Sequence, residues 1–173
     1  RRKRMIKFLG QELTDQEAYE KIIDKLSFFI KSEELILEAL NDIGNYCDKQ
    51  IREGKGMDEN NSTADAIGMM TFSAMKKMLK SQCEKEDKKW EKMKQKGKVS
   101  AFIKDIEKSD KSVEKAIDGI ATTIKQANHT YSPSVLKVLV ETYKDMTEWG
   151  LRVYQEQLDW AKENLLANNV EAL

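Results

Sequence analysis

The amino-acid sequence predicts an all-α protein, an antiparallel bundle of four long helices. Its 173 residues are 40% hydrophobic and 35% charged, which is typical of a folded helical chain rather than of a disordered one. Only eight glycines and one proline are available to turn the chain. Over long stretches the apolar residues recur at alternating steps of three and four, which is the period of an amphipathic helix. No segment has the pattern of a strand, so we expect no β-sheet.

The first two helices are predicted from their caps and stops. The first begins at Thr14, because the sequence TDQE forms a capping box with Glu17, and it ends before Gly54. The second begins after the polar sequence NNSTAD, with Ser62 or Thr63 as its cap, and runs toward the lysine-rich sequence that ends near residue 96.

The third and fourth helices complete the bundle. The third covers about residues 100–128, and the fourth has Ser132 as its N-cap and Pro133 at its first helical position, where a missing N–H costs nothing. Short connections between long helices favour antiparallel neighbours. We expect a turn at Gly97. The alternative is an elongated three-helix coiled coil with a continuous helix through Gly97, because a glycine inside a helix costs only about 1 kcal/mol.

Glu33 is the one polar residue in the apolar stripe of the first helix. The helical period places it toward the core, where an unpaired carboxylate costs several kcal/mol or takes up a proton. We expect a cationic or hydroxyl partner, or a small rotation of the helix toward solvent. Replacing Glu33 by leucine should therefore leave the stability equal or higher.

One domain is predicted, with a short basic segment before it. Residues 1–13 form a basic linker or a short helix, and residues 14–173 form a single helical-bundle domain. Because the chain starts at Arg1 rather than at methionine, we expect a trimmed or processed parent, and any targeting segment of that parent would be missing from this sequence. The first candidate contact site for a polyanion is the N-terminal basic cluster, which consists of Arg1, Arg2, Lys3 and Arg4.

The second candidate contact site is a lysine-rich face near the end of the second helix. Residues 75–98 contain ten lysines and four acidic residues. Lysine is a flexible point charge that does not read base edges, so sequence-specific nucleic-acid binding is not expected. The simplest interpretation is a solvated helix face; an acidic protein or an anionic membrane is the functional one. At helical spacing this face carries Lys85, Lys88, Lys89, Lys92 and Lys96.

No residue pattern indicates catalysis or a cofactor. His129 is the only histidine, which excludes a histidine-based di-iron site and leaves almost no cysteine or histidine ligands for a zinc site. Cys47 and Cys83 fall too far apart in an antiparallel pair of helices to form a disulfide. We expect two buried free thiols, which favour a reducing, cytoplasmic compartment.

Three hypotheses for function follow. The leading one is a non-enzymatic protein–protein interaction module, a scaffold, adaptor or effector domain that binds another protein, or a second copy of itself, through its helix faces. The alternative is a membrane-surface or polyanion-binding protein that uses the lysine-rich face, possibly as an elongated dimer. The third is a small-ligand binder in which Tyr143, Trp149 and Trp160 line a pocket between helices.

Overall fold

Four long helices make up most of the structure, a computed structural model that describes residues 5–166. The predicted helical bundle is confirmed. Two short strands precede the helices, and a single 3-10 turn at Glu59–Asn61 lies in the connection before the second helix. The elements are β1 (Met5–Phe8), β2 (Gln11–Thr14), α1 (Asp15–Arg52), α2 (Ser62–Lys96), α3 (Val99–Thr130) and α4 (Pro133–Asn164).

The first and last helices form the centre of the bundle. Helix α1 packs most extensively on α4 and runs antiparallel to it. Near one end of the pair the Nζ of Lys137 lies 2.5 Å from a carboxylate oxygen of Asp48. Toward the other end the rings of Phe29 and Tyr154 lie 5.2 Å apart. Residues that are more than a hundred positions apart in the chain therefore share one interface.

Helices α2 and α3 both pack against this pair, and they run in opposite directions to each other. Helix α2 packs chiefly on α4. It runs parallel to α4, because Gly68 lies against Val135 whereas Asp87 pairs with Arg152 further along both helices. Helix α3 returns antiparallel to α4. The α2–α4 pair is parallel because each connection reverses the direction of the chain, so that every second helix runs the same way. We call the connection between α1 and α2, residues 53–61, the crossover.

Most helix boundaries agree with the sequence prediction. The Glu17 N–H donates to the Thr14 hydroxyl at 3.2 Å and the Glu17 carboxylate accepts from the Thr14 N–H at 3.1 Å, which confirms the capping box. Pro133 is the first residue of α4, as predicted. Helix α2 is capped by Asn61 rather than by the predicted Ser62 or Thr63.

Gly97 ends α2 in a left-handed conformation, with φ of 59°, and donates its N–H to the Met93 carbonyl at 2.9 Å. Helix α3 starts two residues later. Glycine adopts this conformation without a Cβ clash, which favours it at the end of a helix. The turn is therefore confirmed, and the alternative of one continuous helix is wrong.

The N-terminal segment is a β-hairpin, which the sequence analysis did not predict. Strands β1 and β2 pair antiparallel, and Leu9 and Gly10 connect them with φ of 50° and 78°. The expectation of a linker or short helix is wrong for residues 5–13. Three apolar side chains on one face of the hairpin, Ile6, Phe8 and Leu13, are buried in the bundle, and this burial stabilises two strands that would be marginal alone.

The buried side chains form two separate apolar cores, one at each end of the bundle. The hairpin-end core includes Phe8, Leu26, Phe29, Trp90, Phe102, Ile106 and Leu158. The crossover-end core includes Leu40, Cys47, Phe72, Val135, Leu139 and Tyr143. Between the two lies a less apolar layer that we call the waist, and it includes Glu33, Thr147, Gly150 and Gln157.

Asp65 fastens the crossover end. Its side chain is 1% exposed, and its carboxylate accepts from the Ser132 N–H at 2.9 Å, from the Ser132 hydroxyl at 2.5 Å and from the Asn61 amide at 3.0 Å. A buried carboxylate is tolerated when several donors satisfy it. These bonds tie the start of α2 to the start of α4.

Candidate functional site

The predicted lysine-rich face lies on the outside of α2, and all five of its lysines are exposed. Lys89 pairs with Glu86 at 3.4 Å. Within residues 5–166, the other four have no acidic oxygen closer than 4.0 Å. The acidic helices of the bundle therefore leave most of this charge without a direct partner.

The N-terminal basic cluster cannot be placed beside this face. Arg1, Arg2, Lys3 and Arg4 lie outside the described residues, and their role as a contact site stays a prediction.

The lysine-rich face continues an exposed apolar stripe on the same side of α2. Ile67 is 58% exposed, Met70 76% and Met78 56%, and Ala74 between them is exposed as well. From Ile67 the steps are three, four and four to Met78, and then seven to Lys85, so all lie on one helical face. We call this face the outer ridge of α2: Ile67, Met70, Ala74, Met78, Lys85, Lys88, Lys89, Lys92 and Lys96.

The outer ridge has two halves of different chemistry. Its ends are 29 residues apart, which corresponds to about 44 Å along a helix. The half near the crossover is apolar, and the half near Gly97 is cationic. The helical spacing identified the lysines but not their continuity with exposed methionines. The signal was available: Met70 and Met78 lie off the stripe of Phe72, Met75 and Leu79.

The inner side of α2 is held by polar contacts to α4 that keep the ridge pointing outward. The Trp90 indole N–H donates to Glu156 at 2.8 Å, and the Trp149 indole N–H donates to Asp87 at 2.9 Å. One guanidinium nitrogen of Arg152 lies 3.1 Å from both carboxylate oxygens of Asp87. Side-chain hydrogen bonding to Asp87 is the main reason that the pKa of Arg152 is raised. Asp87 therefore neutralises the guanidinium of Arg152 on α4 rather than the lysines of the ridge.

A second candidate site is a cleft inside the waist, with a volume of about 370 Å³ and walls from all four helices. Its apolar lining includes Ile36, Val113, Ile117, Ile120, Met146 and Val153. Of the three aromatic residues predicted to line a pocket, Trp149 does so here. Trp160 packs on the hairpin-end core and Tyr143 belongs to the crossover-end core.

Glu33 lines this cleft, as its place in the apolar stripe predicts. Its carboxylate lies 3.5 Å from the point that a Cβ on Gly150 would occupy, so Glu33 packs directly over Gly150 of α4. Burial raises the pKa of Glu33 from 4.5 to about 7. The expected cationic or hydroxyl partner is not found among residues 5–166, so desolvation is not offset.

Two further polar residues line the same cleft. The Gln157 side chain is 6% exposed, and its Oε1 has no hydrogen-bond donor within the described part of the chain. Burial raises the pKa of the Tyr154 phenol, a hydrogen bond with Ser109 lowers it, and the charge of Glu33 raises it. Asp105 stands at the mouth of the cleft, where partial burial and then the charge of Glu86 raise its pKa.

The remaining candidate groups are the two cysteines and the histidine. Cys47 and Cys83 are both free, as predicted, although Cys83 is only partly buried. His129 is exposed near the end of α3. In the described ranges no three histidine, cysteine or acidic side chains are grouped to hold a metal ion, and no helix has an apolar stretch long enough to cross a bilayer.

Comparison with protein-family models, with curated proteins and with solved structures finds no match to this chain, so its function has to be argued from the ridge and the cleft themselves.

Proposed function

We propose that the protein is a non-enzymatic helical interaction module that binds another protein through the outer ridge of α2. The observation that carries this proposal is the division of one exposed helix face into an apolar half and a cationic half. An amphipathic partner helix with an apolar segment at one end and acidic residues at the other would match both halves.

The apolar half would supply most of the affinity. Ile67, Met70 and Met78 are more than half exposed, and fully burying each such side chain contributes about 1.5–3 kcal/mol. Methionine side chains also adapt to irregular partner surfaces, because they are unbranched and polarisable. Binding by this half should depend little on salt.

The cationic half would set the orientation of the partner and the rate of association. Exposed charges interact weakly at close range but steer an acidic partner over about a Debye length. Because the lysines occupy only one end of the ridge, an acidic segment fixes which way the partner helix runs.

An anionic membrane fits the ridge less well. A helix that lies in a membrane interface carries its apolar residues along one face and its lysines along the flanks over the same length. On α2 the apolar and cationic residues instead follow one another along a single face. The membrane-surface function therefore remains the second candidate, and it predicts sedimentation with anionic vesicles that salt weakens.

The test uses a helical peptide of about 30 residues with leucines in one half of a face and glutamates in the other. We expect Met70→Asp to weaken its binding to the full chain by at least about tenfold at any salt concentration. The double substitution K88E/K92E should weaken binding at about 50 mM salt and have little effect at about 300 mM. Fluorescence anisotropy measures both.

Matched controls make the same chemical changes elsewhere. Met57→Asp alters an exposed methionine outside the ridge, and K111E/K115E alters exposed lysines of α3. Both should bind the peptide like the original chain. Equal losses in these controls, or no binding of the peptide at low salt, would refute the proposed function. Sedimentation with phosphatidylserine vesicles but no peptide binding would favour the membrane surface instead.

A further inference from the structure

The cleft in the waist has the size and the lining of a small-molecule site, independently of the outer ridge. Its volume of about 370 Å³ lies between the two apolar cores, and side chains of all four helices line it. Small-molecule sites typically combine apolar walls with a few converging polar groups. This cleft has that composition.

The unsatisfied group that faces the cleft is an acceptor. Glu33 offers a carboxylate that no cation or donor within residues 5–166 neutralises. The Gln157 Oε1 also lacks a donor among these residues, but this oxygen is buried too completely for a molecule in the cleft to contact it. Native proteins rarely leave buried polar groups without a partner, and each exception needs an explanation. A cationic ligand would explain the unpaired carboxylate.

The donors near the cleft are already engaged. The indole N–H groups of Trp90 and Trp149 donate to Glu156 and Asp87, which do not line the cleft. Both tryptophans therefore offer it hydrocarbon rather than a donor. Lys89 pairs with Glu86 at the mouth. The titratable or charged groups that face Glu33 across the cleft are Glu86 and Lys89 from α2, Asp105 and Lys108 from α3, and Tyr154 from α4.

We propose that this cleft binds an organic cation, a protonated amine on an apolar or aromatic body. The ammonium group pairs with the Glu33 carboxylate. The apolar body packs on Ile117, Met146 and Val153. The choice of a cation follows from the acceptor-only chemistry of the unpaired carboxylate.

The probes are tryptamine and two close relatives, each titrated calorimetrically into the full chain at pH 8. Tryptamine has an ammonium group and an indole N–H; tryptophol replaces the ammonium by a neutral hydroxyl, and indole-3-acetate replaces it by an anion. We expect tryptamine to bind at least about tenfold more tightly than tryptophol, because a charge-assisted bond is stronger than a neutral one. Indole-3-acetate should not bind.

A variant assigns the ionic contact. Glu33→Gln should reduce the affinity for tryptamine to that of tryptophol and leave tryptophol unaffected. Glu34→Gln changes an exposed neighbour of the same chemistry and should change neither affinity. Circular dichroism and thermal unfolding verify that each variant is folded.

The pH profile gives a readout that needs no substitution. With a pKa of about 7, Glu33 is about nine-tenths ionised at pH 8 and about one-tenth ionised at pH 6. The affinity for tryptamine, which keeps its proton throughout, should therefore fall about tenfold over this range, and the release of a proton from Glu33 to the buffer on binding should report the linkage.

Three results would overturn the proposal. They are equal affinity for tryptamine and tryptophol, unchanged tryptamine binding in Glu33→Gln, and no binding of tryptamine at millimolar concentration at pH 8. A loss of peptide binding at the outer ridge has no bearing on these measurements, so the two proposals fail separately.

Discussion

The ends of the bundle and its waist are built on different principles. At the hairpin end Phe8, Phe29 and Phe102 are completely buried, and aromatic rings contact one another across helices. In the waist, Glu33 and Gln157 occupy positions that an apolar residue would fill. The difference indicates that the ends supply most of the folding stability, whereas the waist is less tightly packed and contains a polar cleft. Positions that break a local rule in this way are where functional sites are expected.

The largest expected effect comes from truncating a side chain at the hairpin end. Phe102 is fully buried, and its ring lies 4.7 Å from that of Trp160. Phe102→Ala should lower the free energy of unfolding by about 4 kcal/mol, because it removes buried surface and leaves a cavity. Urea denaturation measures the loss. Ile117→Ala in the wall of the waist cleft is the control, and we expect it to cost only about 1 kcal/mol because the cleft already provides space. Equal losses at the two positions would remove the distinction between end and waist.

The next effect is a gain of stability on replacing Glu33. Its pKa is raised in the folded state, so the folded protein binds more protons than the unfolded chain between about pH 4.5 and 7. The free energy of unfolding should therefore fall as the pH rises through this window, and the carboxylate should cost about 2 kcal/mol at pH 8 once its partial exposure is allowed for. Glu33→Leu should recover this amount and flatten the pH dependence. Asp105, whose pKa is also raised, should leave a smaller pH dependence of the unfolding free energy, with the same sign, in this variant.

Urea titrations of the two proteins at pH 5 and pH 8 test this expectation. A marked loss of stability in Glu33→Leu at both pH values would mean that the carboxylate is paired inside the fold.

The smallest effect is expected at Gln157. Gln157→Leu removes a buried acceptor without a donor and keeps a similar volume, so we expect a gain of about 1 kcal/mol in the free energy of unfolding. Gln155→Leu, on the exposed side of the same helix, should change it by less than about 0.5 kcal/mol. Thermal and urea unfolding of both variants provide the comparison. Destabilisation by Gln157→Leu would show that the amide is already satisfied.

Much of the fold could be predicted from local sequence. The capping box at Thr14, the turn at Gly97 and Pro133 at the start of α4 each act through the backbone of a few neighbouring residues, so their physics is contained in the sequence around them. The hairpin at residues 5–14 could not be predicted in the same way. Its four-residue strands are too short for a periodic signal, and their stability depends on burial against helices that come later in the chain.

The candidate sites were also predictable only where the signal lies in the local sequence. The spacing of the lysines placed them on one face, and Glu33 was identified as the exception in its stripe. The exposure of Met70 depended on which face of α2 packs on α4, and periodicity alone does not decide between a core and a second surface. The unsatisfied Gln157 was not found, because a single glutamine in a helix becomes notable only when all four walls of the cleft are in place.

The pairing of α1 with α4 has a consequence for how the protein is made. Phe29 and Tyr154 contact each other across the whole series of helices, so the central interface depends on contacts that are far apart in the chain. Helical proteins often fold quickly because their contacts are local, and a bundle closed by its first and last helices lacks part of that advantage. Synthesis proceeds at about 5–20 residues per second, and α4 is the last helix to leave the ribosome. Until then Leu26, Phe29 and Leu40 of α1 lack the α4 helix on which α1 packs in the folded protein. The nascent chain therefore passes through a stage in which an apolar helix face is exposed and a chaperone could bind it.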